Sequence, residues 1–138
     1  MSRLVKKKDL SLFKKIFKSE IDHTNKVVIN WIPLIEFNQL DELLKLSEEK
    51  PVLIFKHSTR CGISSFALKK FQSNFDIAPN KLSLYFLDLL KYRQISTTIA
   101  DHFKVRHQSP QVLLIYKGEA IYNDSHGSIS IDEIKKVI

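Results

Sequence analysis

Residues 52–87 narrow the folding options more than any other stretch of this chain. Val52 to Phe55 is an unbroken apolar run directly after Pro51, and Leu82 to Leu87 is a second mainly apolar run. Between them Ile63, Phe66, Ala67, Phe71 and Phe75 recur on one helical face, opposite Lys69, Lys70 and Gln72. A short run without polar alternation suits a strand covered on both faces. Strand, helix and strand in that order form a crossover unit, so the strands should be parallel and the crossover right-handed. This is the grammar of an α/β protein.

The flanking segments extend the sheet. Val27 to Ile32, β-branched and closed by Pro33, reads as the first strand. The spacing predicts a helix that Asn38 caps, with Asp41 in its first turn and Leu40, Leu43, Leu44 and Leu46 buried, ending at Lys50 and Pro51. A further helix over Tyr92 to Phe103 carries Ile95, Ile99 and Phe103. Val112 to Tyr116 is another continuous apolar strand, entered through Ser109 and Pro110 and turned by Lys117 and Gly118 into an antiparallel partner, Ala120 to Tyr122. Ser130 and Glu133 form a capping box for a last helix that buries Ile131, Ile134 and Ile138. Trp31 reads as core or rim packing, and Asp88 as a turn or helix-start residue.

At 138 residues the chain fits one domain with a short appendage. Residues 1–25 read as a basic amphipathic N-terminal extension and residues 26–138 as the domain. Residues 1–26 hold eight Lys or Arg against Asp9, Glu20 and Asp22, so +5 of the net +7 lies there. The domain itself is nearly balanced, which argues against a nucleic-acid-binding surface. Leu10, Phe13, Ile16 and Phe17 put an apolar stripe on residues 9–19, which suits either docking onto the domain or contact between residues 1–24 and an acidic membrane surface. No stretch approaches the roughly 18 apolar residues of a membrane span, and lysines interrupt every candidate secretory segment. A cytoplasmic location is expected.

Cys61 is the only cysteine, so no internal disulfide can form. It follows the central apolar run through a polar loop, in the stretch FKHSTRCGISS from Phe55 to Ser65, and sits where the next helix begins. Unpaired amides and the helix dipole at such a position favour thiolate over thiol. Lys56 and Arg60 add positive charge nearby in sequence. A lone cysteine can equally be a buried, inert core residue; the polar company of Ser58, Thr59, Arg60 and Gly62 points instead to a reactive one.

The order of elements, with a thiol after the central strand and a proline opening a late hairpin, resembles the thioredoxin-like fold, with a mixed sheet of four to five strands flanked by helices. The resemblance covers about residues 26–138 and implies a cis bond at Pro110. More narrowly, FKHSTRCGISS, QSPQVLLIYKGEAIY and NDSHGSIS together resemble the YtxJ-like monothiol bacilliredoxins. That resemblance implies thiol–disulfide exchange that removes bacillithiol from S-bacillithiolated client proteins. Bacillithiol would be a co-substrate, with no bound cofactor and a second low-molecular-weight thiol for regeneration. It makes Cys61 the attacking residue and Pro110 the cis-proline, and it sets Ser64 where dithiol relatives carry a second cysteine. Ser64 would donate a hydrogen bond to the thiolate or help cap the helix. Lys56, Arg60, Gly62, Ile63 and Ser109 are the expected substrate contacts, with Lys56 either attracting a bacillithiol carboxylate or simply solvated. The chain departs from the family's TCPIS form at Arg60 and Gly62. Phe55 replaces the buried acid of dithiol thioredoxins, so a proton relay of that kind is not expected.

Two other readings compete. Cys61-Gly62-Ile63-Ser64 is close to the CGFS motif of monothiol glutaredoxins, which implies an iron–sulfur cluster shared between subunits. A non-catalytic adaptor that uses residues 1–24 to reach a membrane or partner is the third. His23, His57, His102, His107 and His126 show no zinc-type spacing, so no mononuclear metal site is expected. His57 either influences Cys61 or is merely satisfied by hydrogen bonds, and His126 is equally open.

Overall fold

A computed structural model describes residues 28–138. The predicted helix over 9–19, the extension over 1–25 and Val27 lie outside the described residues. The strands are β1 (Trp31–Pro33), β2 (Val52–His57), β3 (Ser83–Asp88), β4 (Gln111–Tyr116) and β5 (Glu119–Ser125). The helices are α1 (Asn38–Ser47), α2 (Gly62–Asn74), α3 (Arg93–Phe103) and α4 (Ile131–Val137), with a 3-10 turn at His126–Ser128.

The five strands lie in the order β1-β3-β2-β4-β5. β2 runs parallel to β3, as its crossover connection requires, and antiparallel to β4. β5 returns antiparallel to β4 through a turn whose Lys117 and Gly118 both have positive φ, 50° and 78°. Gly118 takes that conformation without steric cost. β1 is shorter than the predicted Val27–Ile32 strand and ends on Pro33 instead of stopping before it. Among the described residues its only partner is β3, and an edge strand can accommodate a residue without an N–H.

Alternation along β2 divides the core. Leu53 and Phe55 enter one apolar cluster with Phe71 and Ala67 of α2 and Ile131 and Ile134 of α4. Val52 and Ile54 enter the other, with Leu43 of α1 and Ile95 and Ile99 of α3. The sheet is therefore covered on both faces, which explains why β2 carries no exposed residue. Each such aliphatic or aromatic side chain contributes about 1.5–3 kcal/mol by leaving water. Trp31, Phe55, Phe71 and Phe86 add mutual ring contacts at centroid distances of 5.4–6.5 Å, and the Trp31 indole N–H donates to Gln72 Oε1 at 3.0 Å.

Local signals were partly replaced by others. Phe37, not Asn38, occupies the N-cap position of α1, and no side-chain cap is made there. Gln39 serves instead: its Oε1 accepts from the Ile35 and Glu36 amides at 2.7 and 2.9 Å, and its Nε2 donates to the Pro33 carbonyl at 2.9 Å. Leu46 is on the exposed side, and the buried Ser47 ends the helix. The Ser47 carbonyl accepts from the Lys117 amide at 2.8 Å, and its Oγ accepts from the Gly118 amide at 3.1 Å. Ser130 Oγ does accept from the Glu133 amide, so the last helix is capped as expected. Among the described residues no helix is long and apolar enough to cross a membrane.

Candidate active site

The loop after β2 folds back on itself before α2 starts. The Cys61 amide donates to the Ser58 carbonyl at 3.2 Å, and the Cys61 carbonyl accepts from the Ser65 amide at 3.1 Å. Cys61 is the N-cap residue of α2, with extended φ and ψ of −104° and 119°, and its side chain makes no capping bond. The sulfur thus stands at the positive end of a 13-residue helix, beside amides that have no partner within the helix. It is partly exposed and free. Arg60 and Gly62 on either side of it are exposed, and a Cβ built on Gly62 meets nothing within 4 Å.

Three segments meet at this end of the sheet. Lys56 of β2 pairs with Gln111 of β4, so His57 and Pro110 follow at the same edge. The Ser109–Pro110 bond is cis, and the Pro110 carbonyl accepts from the His126 amide at 3.0 Å. Gln111, almost fully buried, ties down the approach to Pro110 by donating to the Arg106 carbonyl at 2.8 Å. Ser109 Oγ is buried without a hydrogen-bond partner among the described residues. The first turns of α2 and the 3-10 turn together line a groove of about 80 Å³, formed by Ile63, Phe66, Ala67, Lys70, His126, Gly127 and Ile129.

The structure corrects several sequence expectations. Lys56 is not a surface contact for substrate: it is fully buried on the α3 face of the sheet. Its Nζ donates to the Ser96 carbonyl at 3.1 Å and lies 3.4 Å from His107 Nδ1. Burial pushes the Lys56 amine down to about 8. Desolvation of its ring, together with the charges of Lys56 and Arg93, holds the more exposed His107 below the ordinary histidine value. Ile63 and Phe66, expected on the core face of α2, are 64% and 72% exposed. Ala67, Phe71 and Phe75 are buried as predicted, and in the first turns Ser64 takes the inner position instead of Ile63 and Phe66. Ser64 neither caps the helix nor has a recorded bond to the sulfur; its Oγ accepts from the Ser58 amide at 3.0 Å and pairs with His57 Nδ1 at 2.8 Å. His57, Ser58 and Gln111 are buried polar residues of this site that no sequence pattern singled out as a unit.

A partly exposed sulfur at a helix start, with a cis-proline entering the adjacent strand, can attack a disulfide and carry a mixed disulfide. Solved structures share this architecture. One described as a candidate oxidoreductase with a thioredoxin fold is 29% identical, with a TM-score of 0.65, covering 77% of this chain and 91% of its own. The Malassezia sympodialis thioredoxin is 17% identical with a TM-score of 0.59, covering 83% and 95%. A mutant thioredoxin of Halobacterium salinarum is 18% identical with a TM-score of 0.53, covering 79% and 88%. The chain is a thioredoxin-fold thiol oxidoreductase. A family model described as monothiol bacilliredoxin BrxC matches residues 32–134, and the chain belongs to that family.

Proposed function

We propose that this protein removes bacillithiol from S-bacillithiolated proteins, using Cys61 as its single nucleophile. The Cys61 thiolate attacks the bacillithiol sulfur of the client's mixed disulfide. The client thiolate leaves with the electron pair of the broken S–S bond and is protonated by water, and a Cys61–bacillithiol disulfide remains. A second bacillithiol thiolate then attacks the bacillithiol sulfur of that disulfide. This yields bacillithiol disulfide and regenerates the Cys61 thiolate.

The observation that carries this reading is the contrast between positions 61 and 64. Cys61 is open to a visiting disulfide, whereas Ser64, one turn on, is fully buried and held from two sides. A hydroxyl cannot displace sulfur, so the second half-reaction has to use an external thiol. Arg60 is the exposed cation adjacent to the sulfur in the chain and takes the role of an anion contact. Gly62, Ile63, Ser109 and Pro110 border the incoming disulfide.

Whole-protein mass after incubation with bacillithiol disulfide tests the proposal. One bacillithiol adduct on Cys61, released by free bacillithiol, is the expected result. Absence of that adduct, under conditions in which a generic aromatic disulfide labels the same thiol, would overturn the specificity for bacillithiol.

A further inference from the structure

A cavity of about 540 Å³ lies beside α3, on the sheet face away from α2. That volume suits a small molecule. Its walls come from α3 and from the segment that leads on to β4. A left-handed Lys104, φ 55°, ends α3, and the Val105 amide closes on the Ala100 carbonyl at 3.1 Å. Helices commonly make this turn on glycine; here the position carries a charged side chain. The turn brings Arg106 and His107 to the same cavity as Arg93, Ser96 and Lys104.

The charge on these walls is one-sided. Arg93, Lys104 and Arg106 stand against a single acid, Asp101. Among the described residues the ion pairs are Lys135–Asp76 and Lys136–Glu133, so none of the three cations is in one. A fourth charge sits behind the wall. Lys56 is fully buried, and the partners of its Nζ are the Ser96 carbonyl at 3.1 Å and His107 Nδ1 at 3.4 Å, neither of them a carboxylate. The charges of Lys56 and Arg93 both act on the His107 ring and, with desolvation, keep it neutral at pH 7. An ammonium only donates, so Nδ1 accepts from Lys56 and the ring carries its proton on Nε2, a donor with no partner among the described residues. A buried charge without a counter-charge is costly. An anion in the cavity supplies one.

We infer that this cavity binds a phosphate dianion, free or as the phosphoryl group of a small metabolite, held by Arg93, Arg106 and His107 with the buried Lys56 charge behind them. Arg93, Arg106 and Lys56 come from a helix, a return segment and the sheet, an arrangement that suits a multivalent tetrahedral anion better than one flat carboxylate. Guanidinium forks also match pairs of phosphate oxygens. The cavity shares no lining residue with the groove beside Cys61, so this site stands apart from the exchange reading.

Isothermal titration calorimetry on the full chain at pH 7, with chloride holding the ionic strength constant, tests the site. Saturable one-to-one binding of inorganic phosphate is expected. Arg93→Gln and Arg106→Gln should each weaken it about tenfold, the loss of one charge-assisted contact. Lys56→Met leaves every lining residue in place and should also weaken binding about tenfold, through the lost charge alone. Lys69→Gln, at an exposed position on α2, should leave the affinity unchanged. Glycerol 3-phosphate separates the sources: tighter binding than inorganic phosphate assigns the site to a phosphorylated metabolite, equal or weaker binding assigns it to the free ion, and either supports the inference. No saturable binding of either titrant, an affinity unchanged in Arg93→Gln or Lys56→Met, an equal loss in Lys69→Gln and Arg93→Gln, or tighter binding of succinate than of phosphate overturns it.

Discussion

Replacing the buried lysine of β2 by methionine should stabilise this protein near neutral pH and cease to do so in alkali. Lys56 is fully buried, and its amine titrates near 8 against an ordinary value of 10.5, with burial as the cause. Below pH 8 the amine is charged in both folded and unfolded chains, so the whole cost of burying that charge falls on the folded state. From pH 8 to 10.5 the unfolded chain binds more protons than the folded one, and stability rises with pH. At about 1.36 kcal/mol per pH unit the difference corresponds to about 3 kcal/mol. Against this stand the bonds to the Ser96 carbonyl and His107, worth about 1 kcal/mol together for a neutral amine. Lys56→Met keeps the volume and loses both contributions. It should be more stable than the parent by about 2 kcal/mol at pH 7, with the advantage gone by about pH 10. Urea melts of both proteins at matched pH give the difference directly, and the tyrosines, including Tyr122, raised to about 12, cancel between them. A Lys56→Met protein that is less stable at pH 7, or a gap that does not narrow as pH rises, would refute the reasoning.

Two further outcomes follow from surface geometry at the helix start. Gly62 is the first residue of α2, a Cβ there has open space, and the preceding Cys61 has the extended backbone that a following proline demands. Gly62→Pro should therefore raise stability by about 0.4–1 kcal/mol, seen as a higher melting temperature; a loss of stability would contradict the described backbone. Phe66, 72% exposed beside the site, contributes little to folding. Phe66→Asp should change stability by no more than about 0.5 kcal/mol while slowing exchange with a disulfide on a protein more than with a small disulfide. Equal slowing of both would mean that Phe66 takes no part in client contact.

What could be read from residue order alone follows a physical line. Val52 to Phe55 and Val112 to Tyr116 announced central strands because no polar residue interrupts them, and the structure puts them side by side. Ser130 and Glu133 announced a helix start because that signal is entirely local. Pro110 was picked out through the resemblance to the thioredoxin-like fold and not from residue order by itself, and its bond is cis. Lys56 was misplaced because its partners, Ser96 and His107, are 40 and 51 residues away and only folding brings them to its amine. The first turns of α2 were misjudged for a related reason, while Ala67, Phe71 and Phe75 face the core as predicted. Ser64 counts as polar in any periodicity, yet His57 and Ser58 satisfy it so fully that it is buried, rotating the inner stripe away from Ile63 and Phe66.

At the tip opposite the sulfur, one serine closes the molecule. The amides of Lys117 and Gly118 are both handed to Ser47, so the hairpin is bolted to α1 through its polar backbone as well as its oily side chains. Peeling β5 from the sheet therefore means uncoupling the end of α1 as well. The two should open to solvent as one cooperative unit, leaving the reactive pole to fluctuate on its own schedule.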